Sequence, residues 1–140
     1  MPYYKNQDDM YGIHRALFDR FRSDPAVGPA LAQSGLVLAF KVSQPDGLIT
    51  INSRSAEPGT PFSYVFGEAG PAADLTFIAP ADVIHEFWQG KINIVSALVT
   101  GKIKAVGNVA AAMKLMTALK GIFDLSPRVL RDIGRVDLVL

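Results

Sequence analysis

The chain has 140 residues, of which 49% are hydrophobic and 19% are charged, and its formal net charge is +1. This composition excludes a disordered chain, and the length suits one domain, residues 1–140, with a sizeable core. The near-neutral charge argues against a nucleic-acid partner, and the absence of cysteine excludes disulfides and thiolate chemistry.

The N-terminal part of the chain predicts one helix followed by a broken turn. It has no secretory signal, and no stretch is apolar over the length of a membrane span, so we expect a cytoplasmic protein. Asp8 or Asp9 is the candidate N-cap of the helix. Its apolar stripe consists of Met10, Ile13, Leu17 and Phe21. Because Pro29 lies too far inside for a regular second helix, a short broken turn that ends at Gly35 is expected.

Four strands are predicted in the middle of the chain. Residues 36–43 are a dense apolar run and residues 48–53 alternate in polarity. The Gln-Pro-Asp-Gly turn between them favours a β-hairpin. In this turn we expect Pro45 to set φ at the second position and Gly47 to supply a positive φ. The third and fourth strands are predicted at residues 62–66 and 74–78.

From Pro80 onward the apolar period changes from two to about 3.6, which predicts helices. Two short helices are expected to end at Gly90 and at Gly101. Their apolar stripes have the same spacing and consist of Val83, Ile84, Phe87 and Trp88, then Ile94, Val95, Leu98 and Val99. A strand with one wet face follows at residues 102–106. Asn108 is then predicted to cap a helix that ends near Lys120.

The C-terminal residues show a weaker pattern. Ser126-Pro127 is typical of an N-cap followed by a first-turn proline, so a separate short helix is predicted there. Residues 136–140 are interpreted as a terminal strand or as a frayed end. As a strand they would cover a sheet edge or join a second subunit, which leaves a homodimer as one alternative.

Motifs of catalysis and of cofactor binding are not found, so we predict no catalytic residue, no metal site and no cofactor. His85-Glu86 begins a zinc-protease motif, but Gln89 stands where that motif requires histidine. His14 has no other ligand-type residue at useful spacing, and both histidines are interpreted as structural or solvated. Neither Gly-Lys pair belongs to a phosphate-binding loop, because the preceding glycine and the following Ser or Thr are missing.

The remaining candidate for function is residues 81–120, where no acidic residue occurs between Glu86 and Asp124. The apolar stripes here are typical of a plain core, which stays an alternative, but large and adaptable side chains also suit a cavity for an apolar ligand. The candidate lipid-binding residues are Phe77, Phe87, Trp88, Leu98, Met113 and Met116. Lys102 and Lys104 are candidate head-group contacts. The lysines of this segment also suit transient contact with an anionic membrane surface.

The order of these residues resembles the sterol carrier protein 2 (SCP2) domain family. The resemblance rests on Gly90-Lys91-Ile92, Leu98-x-x-Gly101-Lys102-Ile103-Lys104-x-x-Gly107-Asn108 and Met113-Lys114-Leu115. With the upstream strands it covers residues 11–121 and leaves residues 122–140 as a C-terminal extension. It implies an α/β (α+β) fold, with a mostly antiparallel sheet of about five strands, helices on one face and a hydrophobic tunnel.

For function, the resemblance implies non-enzymatic binding or transport of a lipid or other apolar small molecule in this tunnel. Fatty acids, acyl-CoA and sterol-like molecules are the expected ligands. Leu98 stands where the family commonly has an aromatic residue, so we expect a pocket of different shape. The alternative is an interaction, dimerisation or enzyme-accessory module with a filled core and no ligand.

Overall fold

The computed structural model describes residues 2–54, 60–68 and 70–140, with the backbone alone for residues 112–114, 116 and 117. Five strands of the described residues form one sheet in the order β3-β2-β1-β4-β5. They are β1 Val37–Ser43, β2 Gly47–Asn52, β3 Ser63–Phe66, β4 Leu75–Pro80 and β5 Lys104–Gly107. β1 and β4 are parallel and the other pairs are antiparallel, which confirms the mostly antiparallel sheet.

Helices cover one face of this sheet, and this confirms the expected α/β fold. The α-helices of the described residues are α1 Gln7–Ser23, α2 Val27–Ser34, α3 Ala81–Trp88, α4 Ile94–Thr100 and α5 Met116–Asp132. Two 3₁₀ segments, Val109–Leu115 and Val136–Leu138, precede and follow α5. In the part of the chain that is described, no helix is both long and apolar enough to cross a membrane.

The strand register gives the sheet one continuous apolar face. Leu38 of β1 lies beside Ile51 of β2 and Leu75 of β4, and Phe40 lies beside Phe77. Alternate residues of a strand point to the same side of a sheet, so these five side chains all face the helices.

The first two helices lie where the sequence predicts structure, but their details differ. All four residues of the predicted α1 stripe are buried, namely Met10, Ile13, Leu17 and Phe21. The N-cap of α1 is Asn6, whose side chain accepts a hydrogen bond from the backbone N–H of Asp9 at 2.8 Å. The prediction of Asp8 or Asp9 as the cap is therefore wrong. α2 is a regular helix because Pro29 lies in its first turn, where backbone N–H groups have no partner inside the helix.

The hairpin turn between β1 and β2 lies where it is predicted, but its residues have other roles. The positive φ, 57°, belongs to Gln44, which precedes Pro45 through a cis peptide bond, and not to Gly47. Gly47 is the first residue of β2, and a Cβ there would lie 2.5 Å from Cε of Met10 and 3.0 Å from the Tyr11 hydroxyl oxygen. Glycine at this position thus allows α1 to lie close to the hairpin.

The last helix is longer than the sequence predicts. Asn108 caps the preceding 3₁₀ segment as expected, but α5 then continues through Ser126 and Pro127, where a new cap is predicted. The Ser126 hydroxyl donates to the carbonyl of Ile122 at 2.7 Å instead of capping a helix. One buried stripe runs across the proline: Ala118, Ile122, Leu125, Ser126, Val129 and Leu130. Burial of this stripe outweighs the backbone hydrogen bond that Pro127 cannot donate.

The C-terminal residues form neither of the predicted alternatives, a strand or a frayed end. They make a 3₁₀ turn that packs on α3, and Leu138 is only 1% exposed. The Leu138 carbonyl accepts hydrogen bonds from Nε2 of His85 at 2.8 Å and from Nε2 of Gln89 at 2.9 Å. Arg135 forms an ion pair with Asp9 at 2.6 Å, which joins the C-terminal segment to α1. These partners are distant in sequence, and a local pattern does not reveal them.

Candidate functional site

An apolar cavity of about 300 Å³ lies between the sheet and the helices. The sheet contributes Leu38, Phe40, Ile51, Leu75 and Phe77 to its lining. The helices α1, α2 and α3 contribute Phe21, Leu31, Phe87 and Trp88. The rest of the lining comes from α4, the first 3₁₀ segment and α5, and consists of Ile94, Val95, Leu98, Val109, Leu115, Ala118, Leu119 and Ile122. Every described lining residue is thus of an apolar type.

Aromatic rings define the end of the cavity beneath α3. Phe40 and Phe77 are neighbours across the parallel strand pair, and their rings stack with centroids 5.3 Å apart. The Trp88 ring lies 5.3 Å from Phe40 and 5.3 Å from Phe87. Such ring contacts are favourable, and Phe40, Phe77, Phe87 and Trp88 form one aromatic cluster at this end of the cavity.

The only polar side-chain atom of Trp88 is bonded within the protein. Its indole N–H donates to Nε2 of His14 at 3.0 Å, and Nδ1 of His14 donates to the Met10 carbonyl at 2.8 Å. Because an indole N–H only donates and a carbonyl only accepts, His14 is neutral and carries its proton on Nδ1. Burial lowers the pKa of His14 to about 4, which maintains this neutral form. The indole therefore presents only its apolar surface to a ligand.

The second histidine holds the two ends of the chain against α3. Nδ1 of His85 accepts a hydrogen bond from the Tyr4 hydroxyl at 2.9 Å, while its Nε2 donates to Leu138. Burial lowers the pKa of His85 and raises the pKa of Tyr4. Neither side chain belongs to the described lining of the cavity. Both histidines are hydrogen-bonded parts of the interior.

The structure brings four of the candidate lipid-binding residues together at the cavity: Phe77, Phe87, Trp88 and Leu98. The side chains of the other two, Met113 and Met116, lie outside the described residues. Lys102 is exposed and lies just beyond Gly101, the C-cap of α4. Lys104 is also exposed, and the pairing of Phe77 with Ala105 and of Ile78 with Lys104 places it on the sheet face away from the helices.

The apolar stripe predicted on α4 is only partly correct. Ile94 and Leu98 are half-buried, but Val95 is 66% exposed and Val99 is 82% exposed. The only buried residue of this helix is Ala97. α4 therefore covers the cavity but contributes only one fully buried side chain to the interior.

Sequence reasoning missed most of the sheet side of the cavity. The sequence identifies Leu38, Phe40 and Ile51 only as strand residues, and Phe21 only as part of the apolar stripe of the first helix. The available signal was the apolar alternation of each strand, which shows that one face is buried. It does not show which residues border empty space, because this depends on how α4 and α5 lie over the sheet.

Comparisons with known proteins agree with this geometry. The sequence matches the SCP-2 sterol transfer family over residues 15–120. No curated protein matches the chain in sequence. The sterol carrier protein domain 2 of Helicoverpa armigera is 25% identical, with a TM-score of 0.59 over 84% of this chain and 87% of that chain. Sterol carrier protein 2 of Yarrowia lipolytica, in its apo form, is 19% identical, with a TM-score of 0.58 over 90% and 94%.

A larger enzyme also contains a region of this fold. The sec-alkylsulfatase Pisa1 of Pseudomonas sp. is 15% identical over 63% of this chain, with a TM-score of 0.51. The chain spans only 14% of that structure and 13% of a second structure of this sulfatase. At this identity the likeness concerns the fold alone. With the family match over well over half of its length and the shared architecture, this chain belongs to the SCP-2 sterol transfer family.

Proposed function

We propose that this chain binds and carries a lipid or other apolar small molecule in the cavity, without catalysing a reaction. The observation that carries this proposal is the cavity of about 300 Å³, with its apolar described lining between sheet and helices. Membership of a sterol transfer family supports the same general class of ligand. A cavity of this kind binds its ligand through shape and through the apolar area removed from water.

The ligand that fits best is an amphiphile whose apolar part lies inside the cavity and whose polar head stays outside. A volume of about 300 Å³ is at the lower end of the roughly 300–1,000 Å³ that is usual for small-molecule sites, which favours a single acyl chain over a bulkier sterol. Fatty acids and acyl-CoA are therefore the first candidates. Lys102 is our proposed head-group contact, because it is exposed just beyond Gly101, the C-cap of α4.

We assign no reaction to this site. Its described lining contains no side chain that could exchange a proton with a ligand or attack it as a nucleophile. Binding alone accounts for the arrangement of apolar residues. A cytoplasmic carrier, as expected from the sequence, is the form of the proposal that we favour.

Titration of the delipidated protein with fatty acids of increasing length tests the proposal. Trp88 is the single tryptophan and lines the cavity, so its emission is expected to change and to saturate on binding. Each methylene contributes about 0.8 kcal/mol when it is buried, so affinity should rise about fourfold per methylene until the cavity is full. A lack of saturable binding for fatty acids, acyl-CoA and sterols alike would contradict the proposal.

The substitution Ala118→Leu is expected to reduce the space for the ligand. Ala118 is 1% exposed and lines the cavity from α5. The larger side chain displaces about two or three methylenes of ligand, and affinity for the longest chain should fall by about thirtyfold. The matched control is Ala73→Leu, the same change at an exposed loop residue, which should bind like the wild type. Wild-type affinity in Ala118→Leu would show that the ligand lies elsewhere.

The unfolding free energy separates loss of space from loss of structure. Leucine at position 118 fills an apolar void, so the variant is expected to be at least as resistant to urea as the wild type. A large drop in its unfolding free energy would mean that the cavity has no room for the side chain. In that case the cavity would be smaller than described.

A further inference from the structure

The cavity opens to solvent between α4 and the first 3₁₀ segment. Val95 of α4 and Val109 of the 3₁₀ segment both belong to its lining, yet they are 66% and 46% exposed. A side chain that lines a cavity and is also exposed lies at an opening. We call this place the cavity mouth and define it by Val95, Val109 and the half-buried Ile94 and Leu98.

The apolar surface continues from the mouth along the outside of α4. Val99 is 82% exposed, and it lies four residues after Val95, on the same side of the helix. A single exposed valine needs no explanation. Two on one helix turn, beside the opening of an apolar cavity, form an exposed apolar surface where a ligand must enter and leave.

Positive charge lies at both ends of this helix. Lys91 precedes α4 and Lys102 follows it, and both side chains are exposed. α4 itself carries no charge, and no acidic residue occurs between Glu86 and Asp124. The ion pairs found among the described residues are all made by arginines. The surface thus has two exposed valines between its cationic ends, together with the exposed hydroxyl residues Ser96 and Thr100.

Asp74 is an acidic residue whose backbone lies beside the residues of the mouth, but its carboxylate is already engaged. Its backbone carbonyl accepts a hydrogen bond from the N–H of Asn108, the residue before Val109. Its side chain bonds Arg54 and the backbone N–H of Val37. The negative charge there is therefore compensated by an arginine and does not cancel the charge of Lys91 or Lys102.

We propose that Lys91, α4 and Lys102 form a docking surface for an anionic lipid bilayer, with Val95 and Val99 in contact with the acyl region. This inference rests on the proposed function, because it gives the apolar ligand a water-free path between bilayer and cavity. A helix of seven residues is about 10 Å long, so both lysines reach the head groups while the valines face the hydrocarbon. Each lysine near such a surface contributes to attraction that salt screens.

A bilayer fits this surface better than an acidic protein does. Lysines are mobile point charges that suit phosphate or carboxylate groups free to move sideways, whereas fixed carboxylates of a protein favour the planar fork of arginine. The exposed apolar side chains between them, Val95 and Val99, offer no hydrogen bond to a partner. Ser96 and Thr100 are also exposed, but the Thr100 hydroxyl already donates to the Ser96 carbonyl at 2.9 Å. The test therefore has to distinguish binding to a bilayer from binding to an acidic protein.

Co-sedimentation of the full-length, delipidated protein with vesicles tests the proposal. Binding is expected with phosphatidylcholine vesicles that contain phosphatidylserine, and it should fall when salt is raised or phosphatidylserine is omitted. Lys91→Gln should weaken vesicle binding by about fivefold through the lost charge, and Val99→Ser by about threefold through the lost apolar contact. Both positions are chosen because neither side chain belongs to the described lining of the cavity. The matched controls are Lys41→Gln and Val136→Ser, which are exposed elsewhere and should bind vesicles like the wild type.

Fatty-acid binding in the absence of vesicles, measured on the same proteins, keeps the two proposals apart. It should be unchanged in Lys91→Gln and Val99→Ser. If the wild type binds fatty acid but not vesicles, or if both variants bind vesicles like the wild type, the docking surface is wrong and the carrier function stands. Vesicle binding through Lys91 and Val99 without any fatty-acid binding would reject the carrier function alone. Binding to polyglutamate but not to vesicles would assign the surface to an acidic protein and overturn the proposal.

Discussion

Acidification from about pH 7 to about pH 4 is expected to lower the unfolding free energy by about 3 kcal/mol through His14 alone. The pKa of His14 is about 4 in the folded protein, and its ordinary value is 6.5. At about 1.4 kcal/mol per pKa unit this difference is worth about 3.5 kcal/mol in full, of which about 3 kcal/mol is lost by about pH 4. Its structural cause is that a proton on Nε2 would remove the acceptor of the Trp88 indole N–H and place a charge in the interior.

The sign and the pH range follow from which state binds the proton. Between about pH 6.5 and pH 4 the unfolded chain binds a proton at His14 and the folded chain does not. Stability is therefore complete above the unfolded pKa, falls as the pH decreases and stops falling below the folded pKa. Asp9, whose pKa the Arg135 guanidinium lowers, acts in the same direction at lower pH, because its stabilisation is present above its ordinary pKa and is lost as the pH falls through its lowered pKa.

Urea unfolding across this pH range, in wild type and in His14→Gln, measures the effect. The glutamine amide offers an NH₂ donor group and a carbonyl acceptor but does not titrate, so the variant should have a flatter pH dependence whatever its stability at neutral pH. His85 is the only other histidine, and its lowered pKa adds to the wild-type slope. His85→Gln is therefore the control, and it should keep the part of the pH dependence of the unfolding free energy that comes from His14. An unchanged slope in His14→Gln would contradict the assigned neutral tautomer.

Most of the fold follows from local patterns, because periodicity and turn residues report directly on secondary structure. The α1 stripe, the hairpin and the two short helices that end at Gly90 and Gly101 lie where the sequence predicts them. The errors occur where long-range packing overrides a local signal. Pro127 is inside α5 because the buried stripe continues past it, and the C-terminal residues turn onto α3 because His85 and Gln89 bind them.

The site is less predictable than the fold, because a cavity is a property of several elements at once. The sequence identifies apolar residues such as Phe87 and Trp88 that face inward, but it cannot distinguish a filled interior from an open one. The hydrogen bond from Trp88 to His14 joins residues 74 positions apart and has no local signature. Likewise, Val95 and Val99 have the spacing of a buried stripe, and only the position of α4 shows that they are exposed.

Replacement of Gly107 by alanine is expected to lower the unfolding free energy by about 3 kcal/mol or more, and to disturb the cavity mouth. Gly107 has a φ of 116°, a value that residues other than glycine rarely adopt. A Cβ there would lie 2.3 Å from the backbone oxygen of Asp74. That oxygen cannot move away freely, because it accepts the hydrogen bond of Asn108, while the backbone N–H of Asp74 is bonded to Val37.

Gly101→Ala is the matched control, because it separates strain of the backbone from the clash. Gly101 also has a positive φ, 78°, but no atom lies within 4 Å of its Cβ position. Alanine there is expected to lower the unfolding free energy by only about 1–2 kcal/mol. Urea unfolding gives the unfolding free energy of both variants. Equal losses would show that the backbone of Asp74 moves away from the added methyl group. Since Gly107 sets where Asn108 and Val109 leave the sheet, Gly107→Ala should also weaken fatty-acid binding, whereas Gly101→Ala tests whether the end of α4 alone has that effect.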